Sequence, residues 1–344
     1  RVLFRSFSNR DLKQEADTSE AVAIKAEGGK TYEITEEGVY VLSGEAEDFT
    51  VRVEADKKAK VQIVLDGADI SNEDFPVIYV VSADKVFITT AEGSENTLQV
   101  TSEFKSDGDT NTDAVIFSRD DLTLNGLGTL TIVSYDGNGV SCKDDLKITG
   151  GSYVCQTALD TFEANDSISI AGGSFDIVSY KDAFHCENDD DSSVGNVYIR
   201  DGSFDIESKS DGVQGTTEVV IDGGTFSISS REGIEGTYVE INGGDITITA
   251  SDDGINASRK SYSVDCSIVI NGGKIDITMG AGDTDALDSN GTLYINGGDI
   301  SIEANSPFDY ETDGAINSGT VYVNGQQVTE IYNSMMGGGM FGNM

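Results

Sequence analysis

The residues of this sequence that could do chemistry are carboxylates that return at one position of a repeating unit. Each stands two residues before an apolar residue, and in most copies Gly or Ala lies between them. Carboxylate oxygens at a fixed spacing can hold calcium, which takes about six to eight oxygen ligands in loose geometry. This acid column comprises Asp113, Asn138, Asp160, Asp182, Asp211, Glu232, Asp253 and Asp285.

A second polar column is predicted beside the first, three residues further along each copy. The apolar residue between the two columns points into the core, so the small residue before it leaves a low, accessible outer surface. The predicted members are Ser141, Glu163, His185, Gln214, Glu235, Asn256, Asp288 and Asn317. Further acids crowd the same region at Glu187, Asp189, Asp190, Asp191, Asp252, Asp283 and Asp313.

Stacked carboxylates need a counter-charge, because two of them ~4.8 Å apart repel by about 3 kcal/mol at an effective dielectric constant of 20. Solvation by water, neighbouring bases such as Lys181, Lys209 and Arg231, or a bridging cation could each supply relief. A solvated acidic face stays open as an alternative to calcium, and zinc is disfavoured by a single histidine. The predicted calcium ligands are Asp160, Glu163, Asp182, Asp211, Glu232, Asp252, Asp253, Asp283, Asp285 and Asp288.

The elements that position these acids are short strands joined at glycine corners. The stretch from Val219 to Ile228 alternates apolar and polar residues on both sides of an Asp-Gly-Gly corner, and the same pattern returns from Val239 and from Leu293. Alternation with a period of two indicates strands, and a recurring step of about two dozen residues without helical segments indicates a solenoid. We therefore predict an all-β, single-stranded parallel β-helix of about eleven coils. Its corner anchors are Leu65, Ile88, Leu124, Ile148, Ile170, Ile199, Ile221, Ile241, Ile270, Ile295 and Val323.

One solenoid domain accounts for most of the 344 residues. We expect a leader or loose arm over residues 1–20 and the β-helix over 21–330, with an N-terminal cap over 21–65 and coils over 66–330. The Gly/Met-rich stretch 331–344 is expected to be a tail. The sequence starts at Arg1 without a signal peptide, so a processed product is expected. Asn and Asp residues at the corners are expected to form a hydrogen-bonded ladder: Asp66, Asn125, Asp222, Asn242, Asn271, Asn296 and Asn324.

The net charge of −39 excludes some partners. Nucleic-acid binding depends largely on Lys and Arg that neutralise phosphates, so neither nucleic acid nor an anionic membrane surface is expected as a partner. The sequence contains no run of eighteen apolar residues, so no membrane-spanning helix is predicted. Cys142 and Cys186 are predicted two coils apart, ~10 Å, which is too far for a disulfide. We expect a monomer with core cysteines.

Several segments resemble the clostridial carbohydrate-binding β-helix proteins, which are secreted or surface-anchored. The resemblance covers roughly residues 20–344 and is most specific over residues 60–98, with Lys60–Ser71, Pro76–Thr89 and Glu92–Leu98. It implies a right-handed parallel β-helix similar to that of polysaccharide lyases, with calcium between the coils. It also implies binding to cellulose and to acidic sugars such as polygalacturonate, without catalysis, outside the cell or on its surface.

Three functions follow as hypotheses. The first is a non-catalytic, calcium-containing binder of plant cell-wall polysaccharide, with Tyr135, Tyr180, Lys181 and Lys209 as candidate sugar contacts. The second is an enzyme, either a calcium-dependent lyase with Lys181, Lys209 or Arg231 as its base or a hydrolase with paired carboxylates. The third is an adhesin or spacer without a glycan ligand.

Overall fold

The computed structural model describes residues 6–188, 190–282 and 284–332. The regular elements in these ranges are 34 β-strands. All strand pairs are parallel except the last, and each strand pairs with its equivalents one coil before and one coil after. Three parallel sheets therefore run along one solenoid, which confirms the predicted all-β parallel β-helix.

The first sheet carries the strands that precede the glycine corners. The strands β3, β5, β21 and β23 also continue into a neighbouring sheet. Its members are β1 Val22–Lys25, β3 Gly38–Glu47, β5 Lys60–Asn72, β7 Lys85–Thr90, β10 Asp121–Gly126, β13 Asp145–Ile148, β16 Ser167–Ile170, β19 Asn196–Ile199, β21 Asp211–Ile221, β23 Glu232–Ile241, β26 Ser267–Ile270, β29 Thr292–Ile295 and β32 Asp313–Ile316.

The second sheet follows the corners and begins with the ends of β3 and β5. Its other members are β8 Glu95–Val100, β11 Thr129–Ser134, β14 Ser152–Thr157, β17 Ser174–Ser179, β20 Ser203–Ser208, β22 Thr225–Ser230, β24 Asp245–Ala250, β27 Lys274–Met279, β30 Asp299–Glu303 and β33 Thr320–Val323. The strand β34, Gln326–Val328, turns back against β33 in the antiparallel direction. The strand β33 therefore pairs with β30 on one edge and with β34 on the other.

The third sheet presents the acid column. It includes the starts of β21 and β23 as central strands. Its other members are β2 Lys30–Ile34, β4 Phe49–Glu54, β6 Ile78–Ser82, β9 Ala114–Ser118, β12 Asn138–Cys142, β15 Phe162–Ala164, β18 Phe184–Cys186, β25 Ile255–Ala257, β28 Asp285–Ser289 and β31 Ser306–Tyr310.

The core between the sheets is a set of apolar columns in register from coil to coil. In the second sheet the rings of Phe175, Phe204 and Phe226 stack with centroids 4.8 and 4.4 Å apart. In the third sheet Phe162 and Phe184 stack at 5.2 Å and meet Phe175 edge-on. These rings lie directly behind the middle of the acid column and fix the height of its strands.

The glycine corners repeat with the predicted geometry. Gly224 has a φ of 109°, and a Cβ there would lie 3.1 Å from the carbonyl oxygen of Gly202 one coil away. This conformation disfavours any side chain, which explains the second glycine of the motif. Beside the corner, amide hydrogen bonds of 2.8–2.9 Å join a ladder that runs through Asp222, Asn242, Asn271, Asn296 and Asn317.

Three predicted corner positions need correction, namely the anchors Val323 and Leu65 and the ladder member Asn324. Ile295 pairs with Ile316, so Ile316 is the last anchor, while Val323 lies in the second sheet opposite Ile302. Asn324 accordingly leaves the predicted ladder and binds the backbone of Ala304. At the other end Ile88 pairs with Ile63 rather than with Leu65.

The solenoid starts earlier than predicted. Its first sheet contains thirteen strands within the described residues, compared with about eleven predicted coils. The difference lies in residues 21–65, predicted as a cap, because β1 and β3 already pair in register with β5. No Asn/Asp-Gly-Gly sequence follows these first strands, since the glycine pair after β1 is preceded by Glu27, so the motif that identified other coils does not mark them.

Residues 6–14 are not the predicted loose arm. Ser6 and Asp11 contact β13, and Gln14 contacts Gly126 and Thr149 at the corner side of the first sheet. Residues 1–5 and most of the predicted tail, residues 333–344, lie outside the described residues. The structure of the described part contains no helix with the length and hydrophobicity needed to cross a bilayer.

The cysteine prediction fits the observed packing. Cys142, Ala164 and Cys186 are consecutive partners in the third sheet, so the two thiols stand two coils apart. Cys155 stacks on Ile177 in the second sheet. All four cysteines are free and buried, and burial raises the pKa of the Cys266 thiol to about 11. A thiol with such a pKa stays protonated at neutral pH.

Candidate functional site

The acid column is held in place by the backbone of the third sheet. At the rungs of Asp160, Asp182 and Asp253, one oxygen of the acid accepts a hydrogen bond from the backbone N–H of the acid one coil further on. Asp182 donates to Asp160 at 2.9 Å, and Asp211 donates to Asp182 at 2.7 Å. The amide oxygen of Asn138 does the same for Asp160, at 2.9 Å. An amide therefore replaces a carboxylate in this structural role, and the second oxygen of each acid is left for other partners.

The second polar column is also present, with one corrected member. The register aligns Ser141, Glu163, His185, Gln214, Glu235, Asn256 and Asp288 on consecutive coils. Asp288 then pairs with Asp309, which takes the place predicted for Asn317. Asn317 belongs instead to the corner ladder. Asp309 was missed because the last full coil is shorter than its neighbours.

Glu163 is the first acid of the second polar column, and a basic side chain lies beside it. It accepts a hydrogen bond from the Asn138 amide at 3.0 Å and lies 3.4 Å from the Lys143 ammonium. Burial, reinforced by the charge of Glu163, raises the pKa of Asp113. Glu163, predicted as a calcium ligand, therefore already has Lys143 of the preceding coil as a basic partner.

In the middle of the column, protein cations occupy the space between the acids. The Asp160 carboxylate contacts the Lys181 ammonium at 2.7 Å and the His185 Nδ1 at 3.0 Å, while His185 lies 3.6 Å from Asp182. Burial would raise the pKa of Asp160, but the hydrogen bonds from His185 and Lys181 outweigh it and lower that pKa. The same contacts raise the pKa of His185 against the opposing effect of burial. These bases supply the counter-charge at this rung.

The next rung combines three buried acids with two bases. Ligand oxygens of Asp211, Glu232 and Glu235 lie within 4.8 Å of one another. Arg231 contacts Asp211 at 3.3 Å and Glu232 at 2.6 Å, and Lys260 contacts Glu235 at 2.6 Å. Burial, with the charge of Asp182, nevertheless raises the pKa of Asp211 to about 8. Arg231 and Lys260 thus leave this rung incompletely neutralised.

The counter-charges end at the rung that follows. We call Glu232, Asp252, Asp253, Asn256 and Asp288 the C-terminal acid cluster. Oxygens of its first three members lie within 4.8 Å of one another. Arg231 reaches Asp252 at 2.5 Å, but no ion pair among the described residues reaches Asp253 or Asp288. Burial and the charge of Asp288 raise the pKa of Asp253 to about 7, and burial with Asp285 raises that of Asp288 to about 6.

An amide oxygen inside this cluster lacks a partner. Asn256 is 8% exposed and donates its amide N–H to Glu232 at 3.0 Å. Its Oδ1 is buried and accepts no hydrogen bond. Leaving a buried acceptor unsatisfied costs about 1–3 kcal/mol, so this oxygen calls for an electropositive ligand. Carboxylates and an amide oxygen together form the donor set that calcium prefers.

The remaining predicted ligands divide between the described and undescribed parts. Asp285 accepts a hydrogen bond from the Ser306 hydroxyl and stands one rung beyond Asp253. Asp283 and Asp189 lie outside the described residues. The acids Asp160 and Asp182, unlike Asp253 and Asp288, share His185 as their counter-charge. The predicted ligand set is therefore one continuous column with two electrostatic environments.

The sequence analysis did not identify a second acidic group, which lies where β10 and β13 of the first sheet begin. Oxygens of Asp121, Asp144 and Asp145 lie within 4.8 Å of one another. Burial, with the charge of Asp121, raises the pKa of Asp144 to about 6. The signal in the sequence is an Asp-Asp-Leu triplet that recurs after 24 residues, at Asp120 and Asp144.

The predicted sugar contacts lie along one edge of the acid column. Tyr135 and Tyr180 are 64% and 62% exposed and follow equivalent ends of β11 and β17, with Ala158 in the coil between them. Lys209 continues this edge and pairs with Glu207 at 3.2 Å, while Lys181 points to Asp160. Two open aromatic faces and a small residue thus border the column.

Comparisons with known proteins identify a carbohydrate-binding family. The profile of a family described as carbohydrate-binding domain-containing protein matches residues 28–306 and 229–335. A relative with that description from Acetivibrio thermocellus is 33% identical over 219 residues, 63% of this chain and 76% of the relative. The solved structure of a polysaccharide lyase-like protein from C. thermocellum, a gadolinium derivative, covers 90% of this chain and 99% of its own at 23% identity, with a TM-score of 0.38.

Proposed function

Since the chain belongs to the family of carbohydrate-binding domain-containing proteins, we propose that it is a non-catalytic binder of acidic plant cell-wall polysaccharide that uses calcium. The ligand class we propose is polygalacturonate and related uronates, with cellulose as a further candidate. The protein would act outside the bacterial cell or on its surface.

The observation that carries the calcium proposal is the C-terminal acid cluster. Asp253 and Asp288 are partly buried acids without an ion-pair partner among the described residues, and the buried Asn256 Oδ1 beside them is unsatisfied. A divalent cation at Glu232, Asp253, Asn256 and Asp288 would remove both costs at once. Bound calcium would also supply positive charge for a uronate carboxylate. A surface with a net charge of −39 otherwise repels such a polymer.

Sugar rings need a second kind of contact, which the edge of the column offers. The exposed faces of Tyr135 and Tyr180 stand two coils apart, about 10 Å, on the side of the third sheet where the acids lie. Their spacing along the solenoid axis suits an extended polymer that lies across the coils. Lys209, at the same edge and 58% exposed, is available to a carboxylate of the glycan.

The candidate bases favour binding over a lyase reaction. A general base must lose its proton near the working pH, but the hydrogen bond from Lys181 to Asp160 outweighs burial and raises the pKa of Lys181. Arg231 is bound to Asp211, Glu232 and Asp252, and those contacts raise its pKa as well. Both side chains therefore stay protonated and act as counter-charges for the acid column.

Gel retardation tests this proposal directly. The intact protein is run through gels that contain polygalacturonate, with calcium in one set and a chelator in the other. We expect retardation only with calcium, and the double variant Asp253→Asn/Asp288→Asn should lose at least tenfold in affinity. The matched control is Asp299→Asn/Asp245→Asn, which removes the same charge from exposed positions of the second sheet.

Other outcomes would redirect the assignment. Equal retardation of the double variant and its control in calcium would remove the C-terminal acid cluster from the site. An absence of retardation in both gels would refute uronate binding, and a cellulose pull-down would then separate a neutral-glycan binder from a spacer. Appearance of unsaturated sugar products during the incubation would contradict the non-catalytic assignment.

A further inference from the structure

Residues 6–14, which we call the arm, cover a groove on the outer face of the first sheet. The arm extends across coils from Gln14, beside Gly126, to Phe7, whose ring lies 6.3 Å from that of Tyr198 in β19. The arm residue that is fully buried is Asp11, at 2% exposure, while Ser8, Asn9 and Arg10 are exposed. The groove therefore buries a carboxylate rather than an apolar side chain of its occupant.

The groove supplies two ammonium groups and a hydroxyl to this carboxylate, which also accepts a hydrogen bond from the Ser8 N–H of the arm at 2.8 Å. The Lys85 ammonium lies 2.9 Å from one Asp11 oxygen and the Lys147 ammonium lies 3.9 Å from the other. The Thr123 hydroxyl donates to Asp11 at 3.3 Å. Burial opposes ionisation of Asp11, but the hydrogen bond from Lys85 outweighs it and lowers the Asp11 pKa. The groove thus selects an ionised carboxylate.

The two lysines are unusual within this acidic chain. Their side chains are 11% and 13% exposed, whereas the lysines in the other ion pairs of the described residues are at least 30% exposed. Asp121 is the register partner of Lys85, and Asp11 binds in spite of that nearby charge. Two sheltered ammonium groups converging on one carboxylate form a recognition site, because their geometry is set by the sheet beneath them.

Polar groups suited to sugar hydroxyls flank the lysines. The Asn125 amide donates to the backbone oxygens of Asp11 and Lys13 at 3.3 and 3.1 Å, and the Thr149 hydroxyl donates to Asp11 as well. Arg200 lies 5.1 Å from the ring centre of Phe7 at the far end of the groove. A carboxylate flanked by hydroxyls presents the same pattern as Asp11 with its neighbouring carbonyl groups.

The arm is attached in a way that permits exchange. Among the described residues, no backbone-to-backbone hydrogen bond joins residues 6–14 to the rest of the chain. Within the arm, the Leu12 N–H donates to the Ser8 carbonyl and the Lys13 N–H donates to the Arg10 carbonyl. Every hydrogen bond between the arm and the coils involves a side chain, such as those of Gln14, Asn125 and Lys147. The arm can therefore leave without breaking the strand pairs of the solenoid.

We propose that the groove formed by Lys85, Thr123, Asn125, Lys147 and Thr149 is a second, calcium-independent subsite for a carboxylate of an acidic polysaccharide, occluded by the arm. The ligand class rests on the proposed function, but the site does not share its residues. Asp11 stands in for the uronate carboxylate, and a polymer that displaces the arm gains Lys85 and Lys147 as partners.

Binding in chelator tests the groove separately from the acid column. Oligogalacturonate is titrated into the intact protein, into a variant lacking residues 6–14 and into Asp11→Asn, all in EDTA. We expect at least a tenfold gain in affinity for the deletion and a smaller gain for Asp11→Asn. The matched control Asp17→Asn, an exposed acid that binds only Ser19, should behave as the parent protein.

Body variants locate the binding within the deletion background. Lys85→Gln/Lys147→Gln should remove the gain, while Lys274→Gln, an exposed lysine of the second sheet away from the groove, should retain it. Calcium at the C-terminal acid cluster takes no part in binding in EDTA. Failure of calcium-dependent retardation alone would therefore refute the proposed function but not the groove. Equal binding by the folded deletion variant and the parent protein in EDTA would refute the groove.

A proteolysis assay covers the case in which the deletion variant does not fold. Trypsin cuts after Arg10 and Lys13, which flank the buried Asp11. Oligogalacturonate in EDTA should speed these cleavages in the intact protein at least fivefold, because displacement frees the arm, whereas a neutral cello-oligosaccharide should not. Unchanged cleavage at oligosaccharide concentrations up to solubility would overturn the proposal.

Discussion

At the scale of the residue, the acid column shows two solutions to one electrostatic problem. Asp160 and Asp182 are stabilised by Lys181 and His185, whereas Asp253 and Asp288 lack such a base among the described residues. Like charges one coil apart raise carboxyl pKa values, and a basic side chain or a metal ion can each reverse that shift. The change between the two solutions follows Arg231, the last base to contact the column.

His185 should therefore stabilise the fold in a pH-dependent way. The pKa of His185 is raised above its usual value of 6.5, so its contribution is present in full below that value and is lost as the pH rises through the folded-state pKa. We expect His185→Gln to lower the free energy of unfolding by about 1–3 kcal/mol at pH 5.5 and by less at pH 9.

Urea unfolding at the two pH values measures this difference. Glu187→Gln is the matched control, because Glu187 contacts the other ring nitrogen, Nε2, at 3.1 Å and is half exposed. It should change the unfolding free energy by less than about 1 kcal/mol. A loss for His185→Gln that grows between pH 5.5 and 9 would contradict the imidazolium assignment.

The positions of the acids were predictable, but their partners were not. The triplets that begin at Asp211 and Asp253 fix their place because each apolar third residue must enter the core. The contact between Lys181 and Asp160 joins residues 21 apart, and the direction of a long side chain does not follow from the register. The unsatisfied oxygen of Asn256 likewise becomes visible only once every neighbour is placed.

At the scale of the element, the ring stack behind the third sheet sets the spacing of the acid column. Phe204 lies between Phe175 and Phe226 and contacts Phe184 edge-on at 5.9 Å. We expect Phe204→Ala to cost about 3–5 kcal/mol of unfolding free energy, because the cavity opens between three sheets that cannot collapse. Phe204→Leu should cost less than about 1.5 kcal/mol.

Denaturant unfolding of both variants checks the expectation, with calcium titration as a second readout. Because Phe184 directly precedes His185 in β18, the Ala variant should loosen the rungs of Asp160 and Asp182 more than the C-terminal acid cluster. Equal unfolding free energies for Phe204→Ala and Phe204→Leu would show that the ring stack does not stabilise the coils.

The Asn/Asp-Gly-Gly motif at the corners made most coils predictable from the sequence, and the first coils were not predicted because they lack this motif. The Asp-Gly-Gly corner at Asp222 requires a positive φ, so it marks a turn wherever it occurs. The strands β1 and β2 are joined by residues 26–29, where Glu27 and not Asp or Asn precedes the glycine pair, and their parallel register with β3 and β4 identifies them as coils. The arm was missed for a different reason, because Asp11 meets Thr123 across 112 residues through side chains alone.

At the scale of the whole molecule, the net charge of −39 makes calcium and pH act on the same groups. The pKa values of Asp211, Asp253 and Asp288 are raised to about 8, 7 and 6. The folded protein holds these protons more tightly than the unfolded chain, whose aspartates titrate near 3.9. Stability without calcium is therefore lost as the pH rises from about 4 through these folded-state values.

Calcium should reverse this trend, because it binds the deprotonated carboxylates and replaces the protons. In EDTA we expect the Tm to fall continuously between pH 5 and 8.5. In calcium the Tm should stay level or rise, so the two curves separate with increasing pH. Asp253→Asn/Asp288→Asn should bring them together, since the variant lacks both the repulsion and the ligands, whereas Asp299→Asn/Asp245→Asn should not. Parallel curves for the parent protein would mean that calcium binds elsewhere, because a cation that does not displace these protons cannot change the pH dependence of folding.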